Sequence, residues 1–328
     1  MKQWFRLIVL IMLVCMGLPL WADKPASPLS GTDFWIAFLS NNEAPADDES
    51  LDLSVYIVLD KTPTAPVSFT MEVGANAYQT FTVPAGTRYW PVEHMASALV
   101  YLEKMNDATG APVRKGLRVY VNDGVTRFSC YAYNKQGVGN TIKQDASIVF
   151  PVQYLKREYY VLNYQQDNKS SEFAVVATQD NTIVTITPSA PMSNGWIANR
   201  EYRVRLNAGE VCYLASPPAT DLNPIVELSG TKICSDKDVA VFAANELVQI
   251  PQSSTYGSNS VYEQLLPIEY WGQGDYYIAL LGHTKLNAFY GIAEEQNTTT
   301  TITANYPDAT WNFVEQVAGG SPLGRNTN

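Results

Sequence analysis

Residues able to do chemistry are sparse in this chain and seldom stand together. Of its two histidines, His94 and His283, neither belongs to an HExxH run or to any other metal-ligand spacing. Each reads as a solvated or structural side chain, His94 on an expected short helix and His283 in a turn after a strand. No GxSxG elbow is present and no cysteine has a supporting local motif, so no catalytic residue is assigned. Asp47, Asp48 and Glu49 could offer oxygens to calcium, which takes about six to eight; a like-charge loop kept in water is the simpler explanation. Asp236-Lys237-Asp238 could hold a cation too, but turn geometry explains both it and the corresponding Asn122-Asp123-Gly124. No metal site and no cofactor is expected.

The first 22 residues carry Lys2 and Arg6, an apolar run from Leu7 to Leu20 and a small residue at Ala22, the form of a signal peptide. The run contains Gly17 and Pro19 and falls short of the roughly 20 residues a membrane span needs, so export without membrane insertion is expected. The chain is acidic, with 32 Asp and Glu against 22 Lys and Arg, and has no basic cluster. Nucleic acid and anionic lipid are therefore poor partners. Beyond Cys15 in the leader, Cys130, Cys212 and Cys234 remain. An odd number excludes a fully paired framework; Cys212 and Cys234 could pair, or all three serve as small buried hydrophobes.

The elements that would position any site repeat along the chain. FAVVATQDNTIVTIT, from Phe173 to Thr187, returns 116 residues later as FYGIAEEQNTTTTIT, Phe289 to Thr303. Each copy reads as a buried strand, a polar turn at Asn181 or Asn297, and an alternating strand, so that Val184 and Ile186 face a core. A second hairpin is expected from Gly116 to Tyr133 across Asn122-Asp123-Gly124. Val119, Val125 and Phe128 there correspond to Ile233, Val239 and Phe242 at a constant shift of 114. Pro151 matches Pro267, and Tyr159-Tyr160 matches Tyr276-Tyr277. Echoes in one order at shifts of 114 to 117 imply internal duplication.

The expected architecture is all-β, in tandem units of about 116 residues, each suited to a seven-stranded β-sandwich, with propeller blades as the alternative. The divisions are 1–22 signal peptide, 31–152 unit 1, 153–268 unit 2 and 269–328 a partial unit 3. One helix is expected, over Val92 to Asn106, from Met95, Leu99 and Leu102 at helical spacing.

Four stretches, FPVQYLKREYYVLNY, SEFAVVATQDNTIVTITP, VELSGTKICSDKDVAVFAAN and YEQLLPIEYWGQGDYYIAL, resemble the N-terminal domain family of the IgG Fc-binding protein, over about Gly31 to Leu281. The resemblance implies an exported binding or adhesion module, in bacteria often part of a larger surface protein. It carries no site residues over.

Two loops at matching places in the repeat, Lys135 to Ala146 and Glu246 to Tyr262, are candidates for contact with a ligand. The second is rich in Ser, Tyr, Gly and Asn, a composition that gives large contacts at low entropic cost, and Tyr256, Asn259 and Tyr262 are its candidate contact residues. The expected function is a non-enzymatic exported adhesion or recognition module, with a host or cell-surface protein or glycan as partner. A carbohydrate-active enzyme or its accessory domain is the alternative, and a structural spacer of a larger surface protein is a third.

Overall fold

The computed structural model describes residues 29–42, 44–164, 169–218, 226–249 and 258–271, with the backbone of 292–293 and 316–317. It is built of strands. Nine come first: β1 (Asp33–Ile36), β2 (Asp52–Leu59), β3 (Val67–Val73), β4 (Asn76–Val83), β5 (Tyr89–Val92), β6 (Pro112–Val113), β7 (Leu117–Val121), β8 (Phe128–Gln136) and β9 (Lys143–Val149). They form two antiparallel four-stranded sheets, β1-β7-β3-β4 and β5-β2-β8-β9, while β6 adds to a sheet further on. Alternation along each strand decides which face is inside. In β2 it is Leu53, Val55, Ile57 and Leu59, all fully buried. The two sheets close on an aromatic centre in which Phe128 lies 4.6 Å from Phe34 and 5.1 Å from Phe69, ring to ring. Only β3–β4 and β8–β9 are neighbours both in the sheet and in sequence; the other pairings join strands distant in the chain, unlike the sequential meander of a propeller blade.

Seven strands follow: β10 (Lys156–Tyr160), β11 (Ser171–Ala177), β12 (Thr182–Thr187), β13 (Tyr202–Leu206), β14 (Val211–Ala215), β15 (Lys232–Val248) and β16 (Asn259–Gln264). The 17-residue β15 serves two groups of partners. Its first residues pair with β10 and β12, its later ones with β11 and β16. Joined through β15, and with β6 added beside β14, these strands make one eight-stranded sheet; its two halves about β15, β10-β15-β12-β13 and β14-β11-β15-β16, have the same order of pairing as the two sheets of the first sandwich. A second core of Tyr159, Phe173, Val175, Val184, Ile186 and Val241 lies between them. Phe289 and its segment lie outside the described residues; beyond Trp271 the description is limited to β17 (Ile292–Ala293), paired in parallel with β18 (Gln316–Val317).

Several expectations need correction. Strands β11 and β12 flank the Asn181 turn as anticipated, with Val184 and Ile186 buried, yet they do not pair with each other; the turn carries the chain from one sheet to the other. Strands β7 and β8 are likewise in different sheets. In the first sandwich the crossing is made by Asn122-Asp123-Gly124, with Asp123 accepting the amides of Val125 and Thr126. In the second, the chain bends through Asp236 to Asp238 without leaving β15. This difference resets the alignment. Tyr56 faces Tyr131 as Ala174 faces Phe242, and Val55 faces Ala132 as Phe173 faces Ala243. Past the crossing, Phe242 therefore stands at the place of Tyr131, a shift of 111 rather than 114, because the first crossing holds three more residues.

The single helix becomes two isolated turns, Ser97–Val100 and Lys104–Asp107. Between them Tyr101 and Leu102 are extended, bridged to Phe38, and fully buried, while Leu99 is exposed. The three cysteines among the described residues are free: Cys130 and Cys212 are buried in separate cores and Cys234 is half-buried.

The first sandwich is clamped to the second. Strands β11 and β14 are buried on both faces, because the face turned away from the second core is covered by the first sandwich's β5-to-β7 crossover, residues 93–116. Ala174, Val176, Tyr213, Phe242 and Ala244 join the first core on that side. Strands β9 and β16 run edge to edge, held by side chains that bond the opposing backbone: Asn259 to Gln144, Asp145 to Tyr262, Ser147 to Gln264. The two backbones also come close at Gly116, whose amide donates to Gly209 O at 3.0 Å. A Cβ on Gly116 would stand 2.8 Å from that oxygen and 2.9 Å from Val176 Cγ1. Gly116→Ala is therefore expected to lower stability by about 1–3 kcal/mol, the usual range for overpacking. Denaturant titration checks this, and a change under about 0.5 kcal/mol, the range of inert surface substitutions, would show that the contact yields.

Candidate functional site

The residues singled out in the Glu246 to Tyr262 segment have other duties. Tyr262 is almost fully buried: its ring stacks against Phe242 at 5.7 Å and Phe38 at 6.4 Å, and its hydroxyl donates to Ala37 O at 2.8 Å. It seals the two sandwiches together and, at 3% exposure, its ring is committed to that seam. Asn259 exchanges two bonds with the Gln144 backbone, and Tyr256 lies outside the described residues. The companion segment, Lys135 to Ala146, is largely the β8–β9 hairpin rather than a free loop. Asp48 accepts the amide and hydroxyl of Ser50, Asp236 accepts the amide of Ile183, and Asp238 pairs with Arg157. No group of three or more potential metal ligands occurs among the described residues. His283 lies outside them.

Two carboxylates do meet, in the seam between the sandwiches. Glu246, from β15, is fully buried and ion-paired with Lys104 of the crossover at 2.6 Å, with Ser40 Oγ donating at 2.9 Å. Glu172, from β11, is also fully buried; it accepts from Tyr213 Oη, and its Oε1 has no hydrogen-bond partner. Burial first, and the nearby Glu246 charge second, push the Glu172 carboxyl well above the usual range, so it holds its proton. With both carboxyl groups at 0% exposure, a sugar ring cannot reach them. A shallow concavity of about 180 Å³ beside Leu162, Ala243 and Val261 has Glu263 as the one carboxylate among its lining residues, so it offers no acid and base in pair.

The outer face of β5-β2-β8-β9 is different. Because inward positions of these strands hold Val55, Ile57, Cys130 and Ala132, the alternate positions deliver Tyr56, Tyr131 and Tyr133 to the opposite side. Tyr56 stands across from Tyr131, and Val58 across from Tyr89. The Tyr56 and Tyr89 rings stack at 6.0 Å and 11°, and Tyr133 meets Tyr56 edge-on at 6.1 Å. Tyr89 is 53% and Tyr131 36% exposed. Partial burial raises the phenol pKa of Tyr56 and Tyr133, which therefore stay neutral, and Tyr133 Oη donates to Gln144 Oε1 at 2.6 Å. At the rim, Asp52 faces His94 Nδ1 at 3.3 Å and Lys135 Nζ at 4.0 Å. His94 is thus a turn residue with φ of 53° beside this face. Tyrosines give large amphipathic contact at small entropic cost, which is why they concentrate in recognition surfaces. Their period-two spacing, as in CYAYN, was visible in the sequence; that β2, β5 and β8 are neighbours was not.

A family model described as IgGFc binding protein matches residues 145–319, just over half of the chain. The chain belongs to that family. Comparison with the curated proteins and with the solved structures returned no match. The IgGFc-binding match begins inside β9, later than the Gly31 the sequence motifs suggested, and runs past Leu281. It takes in Glu172, Glu246 and Tyr262 but not Lys104 or the tyrosine face, so the surface described above lies on the part of this IgGFc-binding chain that precedes the matched region. No helix among the described residues is long and apolar enough to cross a membrane.

Proposed function

We propose that the chain is an exported recognition module that binds a protein partner through the tyrosine face of β5-β2-β8-β9. The observation that carries the reading is four tyrosines, Tyr56, Tyr89, Tyr131 and Tyr133, side by side on a partly exposed sheet face. Membership of a binding-type family supports the recognition role, while the choice of face rests on the tyrosines alone, and the signal-peptide form of the first 22 residues supports export. The same reading takes 31–152 and 153–268 as copies of one unit, a division supported by the shared order of pairing in β1–β9 and β10–β16. Under it, contact is made by a sheet face rather than by loops between strands. An enzymatic reading gains nothing from Glu172 and Glu246, which serve the seam.

The test is capture of extracellular proteins by the immobilised chain and by its Tyr56→Ser/Tyr131→Ser variant, with a glycan array run beside it. Hot-spot aromatics cost about 2 kcal/mol or more when truncated, so retention is expected to drop more than about tenfold with the thermal midpoint unchanged. Equal retention by both proteins, or binding on the array alone, would refute a protein-binding tyrosine face.

A further inference from the structure

A strand that ends a sheet presents a row of unpaired amides and carbonyls, and most such strands here are protected against pairing with another chain. Strands β9 and β16 face each other. Strand β1 is bridged to Pro151 at Phe34, β5 has four residues and contains Pro91, and β6, β17 and β18 have two residues each. Strand β10 carries Lys156, Arg157 and Glu158, and β13 carries Arg203 and Arg205. Among the described edges β4 is the exception. It runs for eight residues, Asn76–Val83, with no charge and no proline, is exposed at most of its positions, and pairs with β3 alone.

Which groups β4 turns outward follows from its neighbours. Ser68 O accepts from Asn122 N on the β7 side of β3. Backbone groups alternate along a strand, so Ser68 and Thr70 turn theirs to β7, and Phe69 and Met71 turn theirs to β4. Phe81 and Gln79, opposite Phe69 and Met71, are therefore bonded into the ladder, whereas Thr80 and Thr82 direct their amides and carbonyls to the free side. The 3.2 Å between the Ser68 and Thr82 hydroxyls agrees, since side chains come closest across pairs that exchange no backbone bonds. We infer that this row is completed by β4 of a second copy of this chain, antiparallel about a two-fold axis, which joins two four-stranded sheets into one. Charge selects the occupant. An uncharged strand of Thr, Tyr, Phe and Val, all good strand formers, meets its own copy without the like-charge repulsion that Arg203 and Arg205 would impose on β13. A surface that pairs with itself closes at two copies. The contact lies on the sheet opposite the tyrosine face and does not depend on it.

Sedimentation velocity on the full mature chain over a wide concentration range tests this. Average mass is expected to rise from one chain to two and to stop there. Thr80→Pro removes an amide that points away from β3, a change an edge strand accepts, and should weaken the pairing about tenfold or more. Thr82→Lys sets like charges near each other across the two-fold, so it should weaken the pairing at low salt and recover as salt rises. Both variants should keep the thermal midpoint of the monomer. A monomer at every concentration overturns the inference, as does a dimer that both variants leave intact or a mass that climbs past two copies. If Tyr56→Ser/Tyr131→Ser abolishes the dimer while Thr80→Pro keeps it, the copies meet through the tyrosine face and the β4 edge is not the contact.

Discussion

Replacing Lys104 with Met is expected to be among the most damaging single changes in the protein. Its ammonium is the ion-pair partner, at 2.6 Å, of a Glu246 carboxylate with no solvent exposure, and it lies close enough to Glu172 to act on that carboxyl too. Removing one partner of a buried pair leaves the other charge without compensation, at a cost of about 3–5 kcal/mol. Pairing Lys104→Met with Glu246→Met should recover most of that loss, since a buried ion pair replaced by apolar groups is often nearly neutral. Denaturant unfolding of the two single variants and the double one, read as a cycle, decides it. A loss below about 1 kcal/mol for Lys104→Met, the scale of an exposed pair, would mean that water reaches the seam. The neighbouring Glu172 adds a pH signature. Its folded pKa is raised, so the folded chain retains a proton that the unfolded chain releases. That contribution is complete below about pH 4.3, the ordinary glutamate value, and is lost as pH rises toward the folded value. Wild type should therefore lose stability relative to Glu172→Gln as pH climbs from about 4 to neutrality. A pH-independent difference would show Glu172 charged throughout.

The second large effect is expected at Phe128. Its ring is fully buried, 4.6 Å from Phe34 on β1 and 5.1 Å from Phe69 on β3, although it belongs to the opposite sheet on β8. It is the contact that closes the first sandwich. Phe128→Ala removes the transfer energy of a large side chain and leaves a cavity between two rigid sheets, costing about 3–5 kcal/mol. Phe81→Ala, by contrast, removes a half-buried ring stacked on Phe69 from the β4 edge, and should cost distinctly less. Equal losses from the two in urea titrations would contradict the placement of Phe128 at the centre.

How far these features could be read from residues alone depended on the range of the interaction involved. Val184 and Ile186 were legible as core positions because alternation is local, and β11 as a buried strand because its run is unbroken. The pairing of β11 was not legible. A polar turn such as Asn181 or Asn122-Asp123-Gly124 reverses the chain equally well within one sheet or between two, and the choice is made by distant strands such as β15. The helical spacing of Met95, Leu99 and Leu102 failed for a similar reason: Leu102 donates its amide to Phe38 O at 2.8 Å, a partner 64 positions away, and the helix cannot pass through that bond. Tyr262 was misplaced because a Ser, Tyr and Asn composition describes exposed loops on average, whereas here an entire sandwich lies over the residue. The tyrosine face was half visible, as alternating aromatics on separate strands awaiting a register.

Strand β15 gives the second sandwich a mechanical character the first does not have. One continuous run of 17 residues is hydrogen-bonded to four different strands, belonging to both sheets, so neither sheet can peel away while the other keeps its grip on it. The first sandwich has a break at Asn122 to Gly124, where its sheets can part. Under tension the break makes the first sandwich the weaker of the two, with the second held by its shared strand.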